Sequence, residues 1–595
     1  DHGGYYTVVT AIGFLNPVAM VNERIADIKS NNLLASVNAS YELMEGLKLR
    51  LSGNYNSRDV HRGTYYTRYY PNLGADGQAY LSTDNNYNIL FEPDVEYSKT
   101  IGNHSFKLLA GYSYFENVNE GFSMDNYNFD GDEFTYNNIG TGYALNEGLA
   151  SMGSYKNSNK LIGFYNRLSY NFKNKYLLSA SLRYEGSSRF GKNNKWGTFP
   201  AISAGWQIHE EDFMQDVSWL TNLKLRVGYG VTGNQDIPNY LSLERLQVSQ
   251  RQFYLDGQWV NAYQPASNPN PDLKWEKKTE YNIGLDFGMF DSRLYGNIEF
   301  YKRNISDLLW WYSVPVPPNV FDTIYANVGE MTNQGIEIQL NYEPFKSKDF
   351  SWVTSVNFSK NNNKMVTFSN QGLGYELEFL KMTPAASTWS QLVREGDPVG
   401  NWVAPVFEGV DDNGNAIYKD VNGDGNIDIQ SEEDREVVGN QYPDFDLSWN
   451  NNFRYKNFDL SVFFRGSFGQ DALNYERMFY ESWNPFLAGG NVLKSTLTNN
   501  PDYTGIQVYD SRFVEDASYL KLDNLTLGYN LELSKATTLR LYFTGQNLFT
   551  ITNYSGADPE KAIGDINTST ETSGNSNLNY YPFTRTYLLG VNFKF

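Results

Sequence analysis

Cysteine is missing from the 595-residue chain. That removes disulfide frameworks, thiolate metal sites and cysteine nucleophiles together. Histidine is nearly missing as well: His2, His61, His104 and His209 are scattered along the sequence. No Gly-x-Ser-x-Gly elbow and no phosphate-cradling glycine loop accompanies them, and carboxylate pairs without a pocket carry no specificity, so an enzyme is not expected. Positive charge is short, with 48 Lys and Arg against 68 Asp and Glu and a net charge of -20. No basic patch is left to displace counterions from phosphates, which argues against a nucleic-acid partner. No run of about 18 apolar residues exists, so no membrane-spanning helix does either. The opening residues, Asp1-His-Gly-Gly-Tyr-Tyr, do not form a signal peptide, and an exported chain beginning here is expected to be a mature or partial product.

What the chain has is tyrosine (46), phenylalanine (37), tryptophan (12) and glycine (50), with a mean hydropathy of -0.53. Such a chain matches either a large secreted all-β protein or a membrane β-barrel, whose strands show lipid only every second side chain. Periodicity separates the two. In the last stretch Tyr587, Leu589, Val591, Phe593 and Phe595 fall on one face and Thr586, Leu588, Gly590, Asn592 and Lys594 on the other. The same alternation recurs at 33–43, 47–55, 86–99 and 105–116 and onward through the chain. Short turns at Met44-Glu45-Gly46, Phe172-Lys-Asn-Lys175, Phe290-Asp-Ser292, 344–349, Tyr455-Lys-Asn457 and 533–537, with a longer one at 210–222, alternate with long polar connections. Those connections run about 61–85, 117–157, 233–275, 304–332, 361–445, 469–514 and 552–581, with a shorter one near 188–197. Roughly seventeen strands result, with the short turns at one end and the long loops at the other, which is the outer-membrane pattern. A soluble sandwich has no reason to gather its long loops at one end.

The expected fold is therefore all-β, a transmembrane antiparallel β-barrel with short periplasmic turns and long extracellular loops. An odd count conflicts with the even strand number of bacterial single-chain barrels. Residues 1–595 are thus expected to be the C-terminal portion of one barrel domain, and 361–445 its longest outer loop.

Several segments resemble the SusC/RagA-type TonB-dependent outer-membrane transporters, in matching order and spacing. They are Asn16-Pro-Val-Ala-Met20, Asn174-Lys-Tyr-Leu-Leu-Ser-Ala-Ser-Leu-Arg-Tyr184, Gly186-Ser-Ser-Arg-Phe-Gly191, Lys195-Trp-Gly-Thr-Phe-Pro200 and Gly230-Val-Thr-Gly-Asn-Gln235. Asn270-Pro-Asp-Leu-Lys-Trp-Glu276, Asn327-Val-Gly-Glu-Met-Thr-Asn-Gln-Gly-Ile-Glu337, Tyr519-Leu-Lys-Leu-Asp-Asn-Leu-Thr-Leu-Gly-Tyr529, Gly545-Gln-Asn-Leu-Phe549 and Asp558-Pro-Glu560 follow. The resemblance implies a barrel of about 22 strands, an N-terminal plug, and a SusD-like surface lipoprotein as lid. It also implies import of oligosaccharides or peptides driven through TonB-ExbB-ExbD, outer-membrane lipid and lipopolysaccharide around the wall, and in many members a second copy. The plug, the TonB-contacting segment and about five first strands would lie upstream of this chain. Two rivals stand beside an importer: a structural barrel subunit of a larger outer-membrane complex, and a passive porin.

One loop carries a metal-type pattern. Asp420, Asn422 and Asp424 occupy positions one, three and five of a calcium loop, Gly425 the sixth-position turn, and Asn426 and Asp428 positions seven and nine. Ser431 stands where a bidentate Glu is usual, so closure falls to Glu432, Glu433 or Asp434. Calcium in a structural role is expected, against an empty Asp/Asn/Gly turn. Trp310, Trp311 and Tyr312 are an aromatic girdle or loop packing on the simplest view, and a sugar-stacking or lipoprotein-docking surface on the functional one. Trp259, Trp389, Trp402 and Trp483 are weaker candidates for the same surface. Inward-facing Glu42, Asp286, Glu299, Glu337 and Asp459 fit the wet inner wall of a barrel.

Overall fold

The computed structural model describes residues 4–5, 16–71, 76–367, 377–382, 388–413, 415–429, 431–481, 483, 491–499, 509–534, 537–562 and 583–595. Seventeen long strands form one antiparallel sheet. They are β1 Arg24–Met44, β2 Leu47–Tyr66, β3 Gln78–Ile101, β4 His104–Tyr127, β5 Ser151–Phe172, β6 Tyr176–Ser187, β7 Trp196–Gln207 and β8 Leu220–Asn234. Then come β9 Glu276–Met289, β10 Leu294–Ser306, β11 Glu330–Lys346, β12 Phe350–Thr367, β13 Phe445–Tyr455, β14 Phe458–Phe468, β15 Tyr519–Glu532, β16 Thr538–Thr552 and β17 Thr586–Lys594. Each pairs with its neighbours in sequence, so the sheet is an unbroken meander. Among the described residues β1 and β17 are paired on one side only.

The sequence pattern dictates the two faces. Trp206, Leu225, Leu285, Ile298, Ile338, Phe358 and Leu447 are successive cross-strand partners in one row. One residue along, the row reads Lys224, Asp286, Asn297, Gln339, Asn357, Ser448, Arg465 and Lys521. A one-residue slip would exchange the faces, so this two-sided contrast fixes the register. Tight turns help: Lys173 and Asn174 both have positive φ, as do Phe290, Asp291 and Ser292, which suits the right-handed twist of the joined strands.

One expectation needs adjusting, and the loops hold structure of their own. The connections expected at 61–85 and 117–157 are shorter, because β2, β3, β4 and β5 run for 20, 24, 24 and 22 residues. About 9–11 residues cross a bilayer, so these strands rise well beyond it, where water wets both sides and apolar alternation fades. The loops are also not irregular. The 235–275 connection holds a hairpin, Leu246–Leu255 with Gln258–Pro265, and the 307–329 connection another, Leu309–Ser313 with Thr323–Asn327. Leu377–Met382, Thr388–Val393, Asn401–Ala404 and Glu436–Asn440 make a small sheet in the longest loop.

Candidate functional site

Several of the segments that carry the resemblance come together at the outer strand ends, and their roles there are mechanical. Gly191 N–H donates to Leu273 O at 3.0 Å, and a Cβ at Gly191 would fall 1.7 Å from the Pro271 carbonyl oxygen, so only glycine allows the approach. Arg189 reaches Gln235 O (2.8 Å) and Asn239 Oδ1 (3.0 Å). Asn327 Nδ2 donates to Lys274 O at 2.8 Å and Asp307 O at 3.0 Å, while its Oδ1 accepts from Lys274 N–H. Between these clasps Phe190, Phe199, Leu273 and Trp275 are buried in one apolar cluster. A second convergence sits near β14 and β15. Glu560 accepts both Arg465 nitrogens at 2.8 and 3.0 Å and Lys521 Nζ at 2.7 Å, which ties the last long loop to the polar face. Burial pushes the Glu560 carboxyl up, but Arg465 and Lys521 together hold it below its ordinary range. Within Gly545-Gln-Asn-Leu-Phe549 the register shifts opposite Asp523, Asn547 takes φ 53, and Asp523 meets Arg465 at 3.0 Å.

The calcium-type loop folds as a chain of carboxylate-to-backbone turns. Asp420 accepts from Gly423 N–H (2.7 Å) and Gly425 N–H (2.8 Å), Asn422 from Asp424 N–H (2.9 Å), and Asp424 from Asn426 N–H (2.7 Å). Gly425 has φ 82, as the sixth-position turn requires. Asp434 is 2 % exposed and closes the loop by accepting from Val421 N–H (3.2 Å) and Asp428 N–H (2.6 Å). Glu433 reaches Asn422 Nδ2 at 3.2 Å. Asn426 and Asp428 are exposed. Among the described residues no three acidic or imidazole side chains gather around one point. The donors are all hard oxygens, which fits a calcium-like cation, and any such ion would depend on Asn422 and backbone carbonyls as much as on carboxylates.

The aromatic candidates divide. Tyr312 is 4 % exposed, donates to the Val328 carbonyl, and packs with Met365 and Val393; Trp310 lies against the same cluster. Trp402 is 6 % exposed and donates to Asp471 O at 2.8 Å. Tyr312 and Trp402 therefore hold loops together and are not surface residues, because in water these loops need cores of their own. Trp311, on the opposite side of its strand, is 40 % exposed and meets Tyr325 edge-on. Trp483 is half-buried. Trp389 stands on its strand opposite Lys381, and its side chain lies outside the described residues. Trp259 lies on a hairpin around Asp256-Gly257 that exposes it together with Phe253, Tyr254, Leu255 and Tyr263, four residues absent from the sequence-based candidates. An Asp-Gly pair flanked by aromatics was the available signal.

On the polar face, Asp286 and Glu299 share Arg226 (2.8 and 2.5 Å) and Asp459 pairs with Arg540 (2.6 Å). Glu42 accepts from Gly46 N–H at 3.3 Å. Glu337 lines a recess of about 600 Å³ with Glu299, Asp446 and Arg465.

Comparison with known proteins agrees with this architecture. The family model described as TonB dependent receptor-like, beta-barrel matches residues 3–548. The TonB-dependent receptor P3 of Formosa agariphila is 34 % identical over 613 residues, covering 98 % of this chain and 60 % of that protein. The TonB-dependent receptor SusC of Bacteroides thetaiotaomicron is 31 % identical, covering 98 % of this chain and 57 % of its own length. The RagAB peptide transporter structure superposes with a TM-score of 0.82 at 24 % identity, over 96 % of this chain and 63 % of that one. The chain thus spans about three fifths of the length of the curated relatives it matches.

Proposed function

Because the chain belongs to the TonB-dependent receptor-like β-barrel family of the outer membrane, we propose that it is the barrel of a SusC-like importer of oligosaccharides or peptides. The carrying observation is the meander itself: seventeen consecutive strands with one apolar face, one polar face, and every long, folded loop at one end. The apolar face meets lipid and lipopolysaccharide, the polar face lines an aqueous lumen, and the loops receive cargo. A SusD-like lipoprotein serves as lid over those loops. A plug contributed by sequence upstream fills the lumen and connects to TonB-ExbB-ExbD, which fits relatives longer than this chain. The same relatives are named receptors, and nothing in the site's inventory argues for catalysis. Pairing with a second copy is part of the proposal.

Calcium is proposed as a structural ion of the longest loop, held by Asp420, Asn422, Asp424, Asn426, Asp428 and Asp434. Bound there, it supplies positive charge to a cluster of carboxylates and stiffens the loop.

The test is deletion of the full gene followed by growth on single glycans and peptides, with purification of the intact protein and its partners from outer membranes. Loss of growth on one such nutrient and copurification of a surface lipoprotein are expected. Steady conductance of the intact protein in planar bilayers would instead identify a porin. Unimpaired growth with only non-lipoprotein partners would identify a structural subunit.

A further inference from the structure

The polar face is not uniformly charged. On the strands from β5 to β9, Arg167, Lys224 and Lys278 have no carboxylate within ion-pair distance among the described residues. Arg167 Nε–H donates only to Ser179 Oγ, at 3.3 Å. Asp286, directly across from Lys224 in the ladder, is turned to Arg226 instead, and Glu280, two residues from Lys278, is taken by Arg303 at 2.8 Å. Three unpaired cations on one stretch of wall stand out in a chain of net charge -20.

The wall between them is hollowed. Two adjoining recesses of about 440 and 420 Å³ share Ser179, Ser203, Gly228 and Asn282. Glycine in a strand interior weakens the strand and marks a bulge, a bend or the close approach of another backbone. No bulge interrupts the ladder at Gly228 or Gly230. A Cβ at Gly228 would meet only Asn282 Cβ, at 3.9 Å, and one at Gly230 only Ala201 Cβ, at 3.4 Å. The space above them is not filled by any described part of this chain. On the adjoining strands the sign changes, with Glu299, Glu337 and Asp446 beside Arg465 around the 600 Å³ recess.

We propose that the hollow between β5 and β9 is the seat of an acidic, extended segment of the polypeptide that plugs the lumen. Its carboxylates meet Arg167, Lys224 and Lys278, and its backbone lies over Gly228 and Gly230. The inference rests on the plugged-importer function above and adds which wall the plug sits against and with what charge. Polypeptide, as opposed to passing cargo, is favoured by the bare glycines and by relatives whose additional length is available to fill the lumen. The carboxylates on the adjoining strands β10, β11 and β13 repel an acidic segment from that side, so the seat also orients it.

The experiment uses the full-length protein in planar bilayers. The double variant Arg167→Glu/Lys224→Glu is compared with wild type and with Arg454→Glu, a cation of the polar face on β13 outside the hollow. Gly228→Leu, which fills the seat without changing charge, is the second variant. Heat-modifiable migration on gels confirms a folded barrel in each. Wild type and Arg454→Glu are expected to be nearly silent, whereas the double variant and Gly228→Leu show channel openings at least roughly tenfold more often. Silence in both hollow variants, with folded barrels and a silent wild type, overturns the seat and leaves the cations to anions that traverse the lumen. A wild type that conducts steadily fails earlier and differently, since it removes the plug itself.

Discussion

The strands and the outer loops solve burial in opposite ways. On the apolar face of the strands Val37, Ile283 and Leu589 are 72, 55 and 82 % exposed, since lipid is their solvent and nothing else needs to cover them. In the loops and at the outer strand ends the largest fully buried side chains are found, among them Phe190, Leu273, Leu473, Met478 and Tyr509. Burial pushes the Tyr509 hydroxyl upward and the Arg435 guanidinium downward in pKa. One chain therefore holds a wall stabilised by its hydrogen-bond ladder in lipid and a lobe stabilised by packing away from water. The same residue type means different things in each.

The largest effect is expected where the lobe's core is cut. Trp275 is 3 % exposed, its rings lie 5.1 Å from both Phe190 and Phe199, and Nε1–H donates to Lys195 O at 2.8 Å. Trp275→Ala should cost the lobe roughly 3–5 kcal/mol, read as protease cleavage in 235–275 while the barrel keeps its heat-modifiable migration. Global loss of the barrel would show that wall and lobe fold as one unit. Next in size is the lipid face. Val227→Arg is expected to cost about 2–4 kcal/mol if Val227 lies near the midplane, measured by urea titration of folding into vesicles. Ser461→Arg, on the polar face of β14 and outside the hollow, should be close to neutral. Equal costs would mean the two faces are wrongly assigned.

How far the sequence discloses this follows from the same contrast. In the wall, alternation at 33–55 and 586–595 and turns such as Phe172-Lys-Asn-Lys175 are local signals, and strand count, direction and face are all legible from them. In the lobe the determinants are not local. Asn327 clasping Lys274, Arg189 reaching Gln235, and Asp434 closing a loop begun at Asp420 join residues whose pairing no period announces. Trp310 and Tyr312 allow loop packing or a ligand surface, and Trp402 is a weaker candidate for that surface, because aromatics in a polar loop suit both uses; the small cores that take up Tyr312 and Trp402 exist only once distant segments meet.

A smaller effect is expected from calcium. With the ion at roughly 100 times its Kd, its removal by chelator should cost the loop about 2.7 kcal/mol, seen as faster proteolysis within 411–436 and no change at Trp275. Asp434→Asn should abolish the difference between chelated and calcium-loaded protein. Identical proteolysis with and without chelator would leave the loop as the hydrogen-bonded turn that Asp420, Asn422 and Asp424 already form.

The smallest effect sharpens the comparison most, because it asks what solvent wets the polar face. Arg226 bridges Asp286 at 2.8 Å and Glu299 at 2.5 Å, with side chains 30, 25 and 24 % exposed. In a dry interior, removing one member of such a triad strands two carboxylates and costs about 3–5 kcal/mol. In a water-filled lumen the charges are screened and the pair is worth about 1 kcal/mol at most. Arg226→Ala with Asp286→Ala in a double-mutant cycle separates these, because the cycle removes the cost each single change imposes by itself. A coupling of about 1 kcal/mol is expected from urea titrations of the folded barrel. A coupling of about 3 kcal/mol or more would mean that the wall at β8 to β10 is as dry as the lobe, and the division between a wet wall and a packed lobe would then apply only to the apolar face.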